Sequence, residues 1–194
     1  LQKEQINWFV DVGTNQGFYT CYVLKKYPHI ESLNIEPDPY NYEKFEKNLL
    51  LNNIEKRAHL FEGAVSDTDT DAELMINNVG NRAGNSIIID QREWTKQNEN
   101  EVITVKCKPL SNLLKEFGVN HDFILKIDIE GAEFPVLKQF FATSDVSLYP
   151  SVIIAEEVMN SIELCGGSVI ELLIKNGYSL VGHEEVNFFF ELKH

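Results

Sequence analysis

Basic residues are scarce in this chain: 17 Lys and Arg stand against 30 Asp and Glu, for a formal net charge of −13. No cluster of Lys or Arg offsets that balance locally, and a surface of this sign repels phosphate backbones, so nucleic acid is not an expected partner. An apolar run long enough to span a membrane is also missing, and no span is expected. Cysteine is rare. Cys21, Cys107 and Cys165 are odd in number and far apart, which excludes a disulfide framework or a paired-cysteine metal site and reads as reduced thiols in a cytoplasmic protein. His29, His59, His121, His183 and His194 are scattered without ligand spacing, so no histidine metal centre is expected. No repeat, low-complexity tract or linker interrupts the sequence, and residues 1–194 read as one domain. The chain opens at Leu1 without a methionine, a few residues before the first expected strand, which leaves room for a further N-terminal segment.

What is present begins with Phe9-Val-Asp11-Val-Gly13-Thr14-Asn15-Gln-Gly17. Trp8 to Val12 has the β-branched and aromatic character of a buried parallel strand. Gly13 and Gly17 allow a tight turn and a close approach of ligand to backbone. The next helix is expected to begin near Gln16 and to turn Phe18, Tyr22 and Val23 toward the sheet. The spacing is G-x-x-x-G rather than the G-x-G-x-x-G of dinucleotide enzymes, and Asp11 stands at the mouth of the loop. A carboxylate there is a poor host for pyrophosphate. It suits S-adenosylmethionine (SAM), whose ammonium Asp11 can pair while loop N–H groups take the amino-acid carboxylate.

Ser32 to Glu36 reads as the second strand, closed by Pro37-Asp38-Pro39. Glu36 falls 23 positions after Gly13, about the ~20-residue distance at which Rossmann-type folds place an acid on a ribose diol. Tyr40 to Asn53 reads as a helix by Tyr42, Phe45 and Leu49. Arg57 to Gly63 is a third strand, followed by the turn Gly63-Ala64-Val65-Ser66-Asp67. The backbone of that turn, with Asp67, is expected at the adenine edge; an Asx turn is the alternative for Asp67. Residues 72–107 read as a β insertion: strands at Ala72 to Asn77, Ser86 to Ile89 and Val102 to Cys107, with a Gly/Asn connection containing Arg82 that forms a mobile loop or a lid. Leu110 to Phe117 is a short helix ended by Gly118.

In Asp122 to Glu133, Lys126 and Asp128 share one face at the C-terminal end of an otherwise apolar strand. Charges there require pairing with each other or a role in a site. Glu130 and Glu133 stand where the next helix starts and suit its dipole. Ser151 to Ala155 is a fifth strand and Ile162 to Asn176 a helix. Tyr178 to Val181 and Asn187 to Leu192 form a closing antiparallel pair.

Four stretches together, Asp11-Val-Gly-Thr-Asn-Gln-Gly-Phe-Tyr-Thr20, Glu36-Pro-Asp-Pro39, Ala64-Val-Ser-Asp67 and Lys126-Ile-Asp-Ile-Glu-Gly-Ala-Glu133, resemble the FkbM-type SAM-dependent methyltransferases. The resemblance implies a doubly wound, Rossmann-like α/β sheet of seven strands with the last reversed, and O-methylation of sugar or polyketide hydroxyls. It implies that Asp11, Gly13, Thr14, Asn15 and Gly17 hold the methionine end, Glu36 the ribose, and Ala64 and Val65 the adenine side. An alcohol is a poor nucleophile while protonated, so a base or a metal must assist. Asp128 is the expected base, supported by Lys126, with Glu130 second. An Mg²⁺ site on Asp128, Glu130 and Glu156 is an alternative not favoured. A non-catalytic SAM-binding module that holds a protein partner is another, and a nicotinamide dehydrogenase a third.

Overall fold

A computed structural model describes residues 6–76, 86–87, 101–120, 122–157, 162 and 166–193. Strands β1 (Trp8–Val12), β2 (Glu31–Glu36), β3 (Ala58–Glu62), β8 (Phe123–Ile127), β9 (Val152–Glu156), β10 (Tyr178–Glu184) and β11 (Asn187–Leu192) form a seven-stranded sheet in the order β10-β11-β9-β8-β1-β2-β3. β11 runs antiparallel to both neighbours; the pairs from β9 to β3 are parallel. The strand order reverses beside β1, so the loops after β1 and β8 open into one crevice at their carboxyl ends. The Rossmann-like sheet with a reversed strand is thus the observed fold.

Two helices cover one face: α1 (Phe18–Lys26) and α2 (Pro39–Asn52), packed through Leu24, Phe45 and Leu49 against Phe9 and Ile30. The other face carries α3 (Leu110–Glu116), α4 (Glu133–Thr143) and α5 (Val169–Lys175), whose Leu113, Leu137 and Leu173 join Val10, Val12, Leu33 and Leu125 in the larger core. A strand run with both faces covered has no solvent side, which explains its near-continuous apolar character. A second, four-stranded sheet, β4 (Ala64–Val65), β7 (Glu101–Lys108), β5 (Asp71–Ile76) and β6 (Ser86–Ile87), forms the insertion before β8. Its Gly/Asn connection and Arg82 lie outside the described residues.

Two expectations are corrected. The first helix begins at Phe18, after Gly17 in the left-handed region, and buries Thr20 and Leu24. Phe18 is 81% and Tyr22 57% exposed. The helix phase is set by a polar demand: the Thr20 hydroxyl donates to Asp11 Oδ2 at 2.9 Å and meets Asn34 Oδ1 at 2.6 Å, and an i, i+4 partner of Thr20 must then also face inward. The last helix starts at Val169, not at Ile162. Ser168 caps it, and the Glu157 carboxylate accepts from the Val169 and Ile170 amides, while a side chain on Gly167 would meet the Phe134 ring at 2.3 Å.

Gly17 and Gly118 separate two uses of positive φ. Both are left-handed, at +79° and +70°, but a Cβ on Gly17 would lie 1.9 Å from the Phe45 ring whereas Gly118 has nothing within 4 Å. Gly118→Ala is expected to cost about 1 kcal/mol, from backbone strain alone. Gly17→Ala is expected to cost roughly 2–5 kcal/mol, because buried Phe45 has nowhere to move. Thermal denaturation of the two variants checks this, and equal losses would refute the packing role of Gly17.

Candidate functional site

The register of the central strands places Asn34, Asp11 and Lys126 side by side across β2, β1 and β8. This polar row lies beneath the helix α1 face and is the structural reason for charge inside an apolar sheet. Asp11 is 1% exposed, and burial pushes its carboxyl above the usual range against the opposing pull of Lys126 and the Thr20 hydroxyl. Lys126 is 3% exposed. Its Nζ stands 3.3 Å from Asp128 Oδ2 and 3.6 Å from Asp11 Oδ1. Burial opposes the Lys126 charge, and the two carboxylates together outweigh it, so its pKa is held above the ordinary lysine value. Lys126 is therefore a fixed cation and not a base.

Above this row lies a cavity of about 390 Å³. Val12 to Gln16, Phe18 and Tyr19 form one wall, Glu36, Pro37 and Asn41 another, and Lys126 and Asp128 to Glu130 a third; Ile35, Ala64, Val65 and Leu74 are its apolar side. Of the expected site residues, the cavity brings together Gly13, Thr14, Asn15, Glu36, Ala64, Val65, Lys126, Asp128 and Glu130. Three do not line it. Asp11 sits beneath Lys126, Gly17 packs on Phe45, and Asp67 is exposed beyond the end of β4.

The loop after β1 differs from expectation in what its amides do. Gly13 and Thr14 donate to Ile35 O at 3.0 and 3.1 Å, and Gly17 donates to Thr14 O at 3.0 Å. Asn15 N–H donates to Glu36 Oε2 at 2.7 Å, and Gln16 N–H to Asn15 Oδ1 at 2.7 Å. All five are committed within the chain, so the loop does not present bare N–H groups. The Thr14 hydroxyl is likewise structural: it donates to Asp11 O at 2.7 Å and accepts from Ile35 N–H at 3.2 Å. Gly13 is required because the Asp128 carbonyl would lie 1.9 Å from any Cβ there. The close approach is backbone to backbone, locking the first loop to the end of β8.

Glu36 is nearly buried and accepts from Asn15 N–H and, through Oε1, from Asp38 N–H at 3.0 Å. Burial pushes its pKa up to about 7 in spite of those donors. On the opposite wall, Glu130 and Gly131 hold φ of +55° and +102° in a tight turn. Glu133 fixes that turn by accepting from Ile129 N–H at 2.7 Å and Gly131 N–H at 2.9 Å. Glu130 is exposed; partial desolvation and then the charges of Asp128 and Glu133 raise its pKa. Oxygens of Asp128, Glu133 and Glu156 all lie within 4.8 Å of one another. Burial, then Asp128, lifts Glu156 to about 7. Glu133 closes the Lys126–Glu133 stretch and Glu156 was expected only in a metal set; the fold gathers both beside Asp128.

The donor set suits one kind of ligand. A buried acid at the end of β2 matches paired hydroxyls, the apolar side matches a flat ring, and the Lys126, Asp128 and Glu130 wall matches a group carrying both charges. Among the described residues no helix is long and apolar enough to cross a membrane.

A family model, the methyltransferase FkbM domain, matches residues 11–180. Methyltransferase sdnD of Sordaria araneosa is 28% identical over 155 residues, covering 68% of this chain and 59% of that protein. Methyltransferase 1 of Beauveria bassiana (strain ARSEF 2860) is 31% identical over 147 residues, covering 68% of this chain and 57% of that protein. The matched region thus spans less than two thirds of either relative's length. Among solved structures, the precorrin-6y C5,15-methyltransferase of Geobacter metallireducens GS-15 superposes with a TM-score of 0.56 at 10% identity, covering 100% of this chain and 84% of that one. Likeness at that identity concerns the fold alone.

The raised Glu36 pKa has a consequence for stability. An ordinary value of 4.5 in the unfolded chain and about 7 in the folded one means the folded state binds the proton more tightly. Its contribution is complete below about pH 4.5 and is lost as pH rises through about 7, a difference on the order of 3 kcal/mol. The ligand-free melting temperature should therefore fall from pH 5.5 to pH 8, and Glu36→Gln should shrink that fall. An unchanged pH dependence in the variant would show that Glu36 is not the group responsible.

Proposed function

Because the chain belongs to the methyltransferase FkbM domain family, we propose that it is the catalytic core of a SAM-dependent O-methyltransferase. Its acceptor is a hydroxyl on a small molecule or glycan of sugar or polyketide type. One observation carries the reading: Asp128, with Lys126 as counter-ion, opens into the same cavity as Glu36. A proton acceptor and a diol-binding acid thus share one chamber. When bound, SAM supplies a methyl group on a positively charged sulfur.

The fit of this chain to SAM rests on the chemistry of its donors. Glu36 would hold the ribose hydroxyls, and Ile35, Ala64, Val65 and Leu74 the adenine. The wall of Lys126, Asp128 and Glu130 would face the amino-acid end. Asp128 accepts the acceptor's hydroxyl proton as that oxygen becomes the nucleophile, and Glu130 is the second choice for the task. Glu133 positions both by fixing the turn between them. Positioning accounts for most of such a reaction, and a placed base adds about 10²–10⁴-fold. The acidic composition argues for a non-nucleic-acid acceptor, and the unpaired cysteine pattern for a cytoplasmic setting.

The grouping of Asp128, Glu133 and Glu156 favours a second reading, in which Mg²⁺ on these carboxylates orients the acceptor oxygen. Glu133 replaces Glu130 in that set. Against it, Glu133 already accepts two backbone N–H groups.

S-adenosylhomocysteine or SAM at about a hundred times its Kd should add about 2.7 kcal/mol to the native state, visible as a thermal shift that NAD does not produce. Asp128→Asn should retain a thermal shift, reduced by the loss of one charge at the amino-acid end, and lower turnover at least 100-fold. Turnover that survives places the base elsewhere. Activity lost to a chelator and restored by Mg²⁺ selects the second reading, and a shift without turnover on any acceptor selects a non-catalytic binding module.

A further inference from the structure

A ligand carboxylate that reaches the charged wall of the cavity finds no uncommitted donor among the amides of residues 13–17, all of which are bonded inside the chain. Among the described lining residues, Lys126 is the one cation. Its ammonium carries three N–H groups. One meets Asp128 at 3.3 Å. The approach to Asp11 Oδ1, at 3.6 Å, is an ion pair and not a hydrogen bond, and that buried oxygen has no hydrogen-bond partner among the described residues. The Tyr19 ring, centred 5.0 Å from Nζ, is itself a cavity wall. A buried ammonium with one hydrogen bond is under-coordinated, and its free N–H capacity lies at the edge of the cavity.

We propose that Lys126 anchors the carboxylate of the cofactor's amino-acid end, with Asp11 beneath it as counter-ion. The inference rests on the SAM reading above and moves the carboxylate contact from the loop after β1 to strand β8. It also gives Asp11 a role suited to its burial: Asp11 acts through Lys126 and does not touch the ligand. Asp128 and Glu130 flank the same wall, so a zwitterion, with ammonium and carboxylate on one carbon, complements it where a bare anion would be repelled.

The test is calorimetric and needs no acceptor. Kd is measured for S-adenosylhomocysteine and for its decarboxylated analogue, 5′-deoxy-5′-(3-aminopropylthio)adenosine, on the unmodified chain and on Lys126→Gln. The unmodified chain should prefer S-adenosylhomocysteine about tenfold or more, the worth of a charge-assisted contact. Lys126→Gln should erase most of that preference by weakening S-adenosylhomocysteine, leaving the analogue within about twofold. A preference of equal size in both proteins would overturn the proposal and assign the carboxylate to the first-turn amides of α1. Since Lys126→Gln leaves two carboxylates without their cation, the double variant Asp11→Asn/Lys126→Gln, which removes the buried pair together, provides the same comparison should the single variant fail to fold. Failure of the unmodified chain to bind either compound would bring down the cofactor reading itself, a result distinct from an equal preference.

Discussion

A carboxylate buried at the centre of a parallel sheet is the constraint from which much of this structure follows. Asp11 lies between Asn34 and Lys126 in register, and almost no solvent reaches it. An isolated ion there would cost several kcal/mol or be neutralised. The chain answers with Lys126 on one side and the Thr20 hydroxyl on the other. Thr20 can reach Asp11 only if α1 is turned so that Phe18 and Tyr22 point outward. Phe18 then becomes a wall of the cavity and not part of the core. A polar requirement in the sheet thereby sets what the helix offers to a ligand.

The second constraint is contact between two loops. The Asp128 carbonyl rests where a Cβ of residue 13 would stand, and Asp128 N–H donates to Val12 O at 3.1 Å. Backbone packed on backbone leaves little play, so Asp128 and the first loop hold a fixed relation across the crevice. Beyond it, the left-handed Glu130 and Gly131 are held by Glu133. Strain in that turn is offset by two hydrogen bonds to one buried carboxylate, a use of Glu133 more specific than a favourable helix dipole.

The strands were legible because a sheet covered on both faces writes a continuous apolar run, and the interruptions at Asp11, Glu36 and Lys126 pointed to the crevice. The seven strands with a reversed one were implied by the resemblance to the FkbM-type methyltransferases, and their order is seen only in the fold. What the residues did not disclose was where donors go. Gly13 and Gly17 read alike in sequence, yet one admits a carbonyl and the other a phenyl ring. The loop amides looked available, because the acceptors of Gly13, Thr14 and Asn15, namely Ile35 O and the Glu36 carboxylate, lie over twenty residues away. Leu74 was invisible as a site residue for the same reason: only the second sheet brings it to the cavity. Glu156, expected only in a carboxylate Mg²⁺ set, stands beside Asp128 and Glu133 at the β9 end. The last helix was overextended because its apolar period continues across Gly166 and Gly167, where packing on Phe134 ends it.

The acids around the cavity share a condition that bears on binding. Glu36 and Glu156 are both lifted to about 7, and Asp11, Glu130 and Glu133 are raised as well, with desolvation the leading cause in every case. Folding has therefore placed carboxylates where their charge is poorly solvated, at the strand ends where ligands bind in open α/β sheets. A ligand that brings hydroxyl donors to Glu36 and positive charge to the Asp128 wall supplies the solvation that water does not. Each such contact is stronger for being made in a poorly hydrated place, since the competing state is an acid with little water around it. The cost of assembling these acids is met by the apolar core on the two faces of the sheet. A polyanion entering the cavity meets the carboxylates of Glu36, Asp128 and Glu130, and among the described lining residues Lys126 is the one cation to receive it.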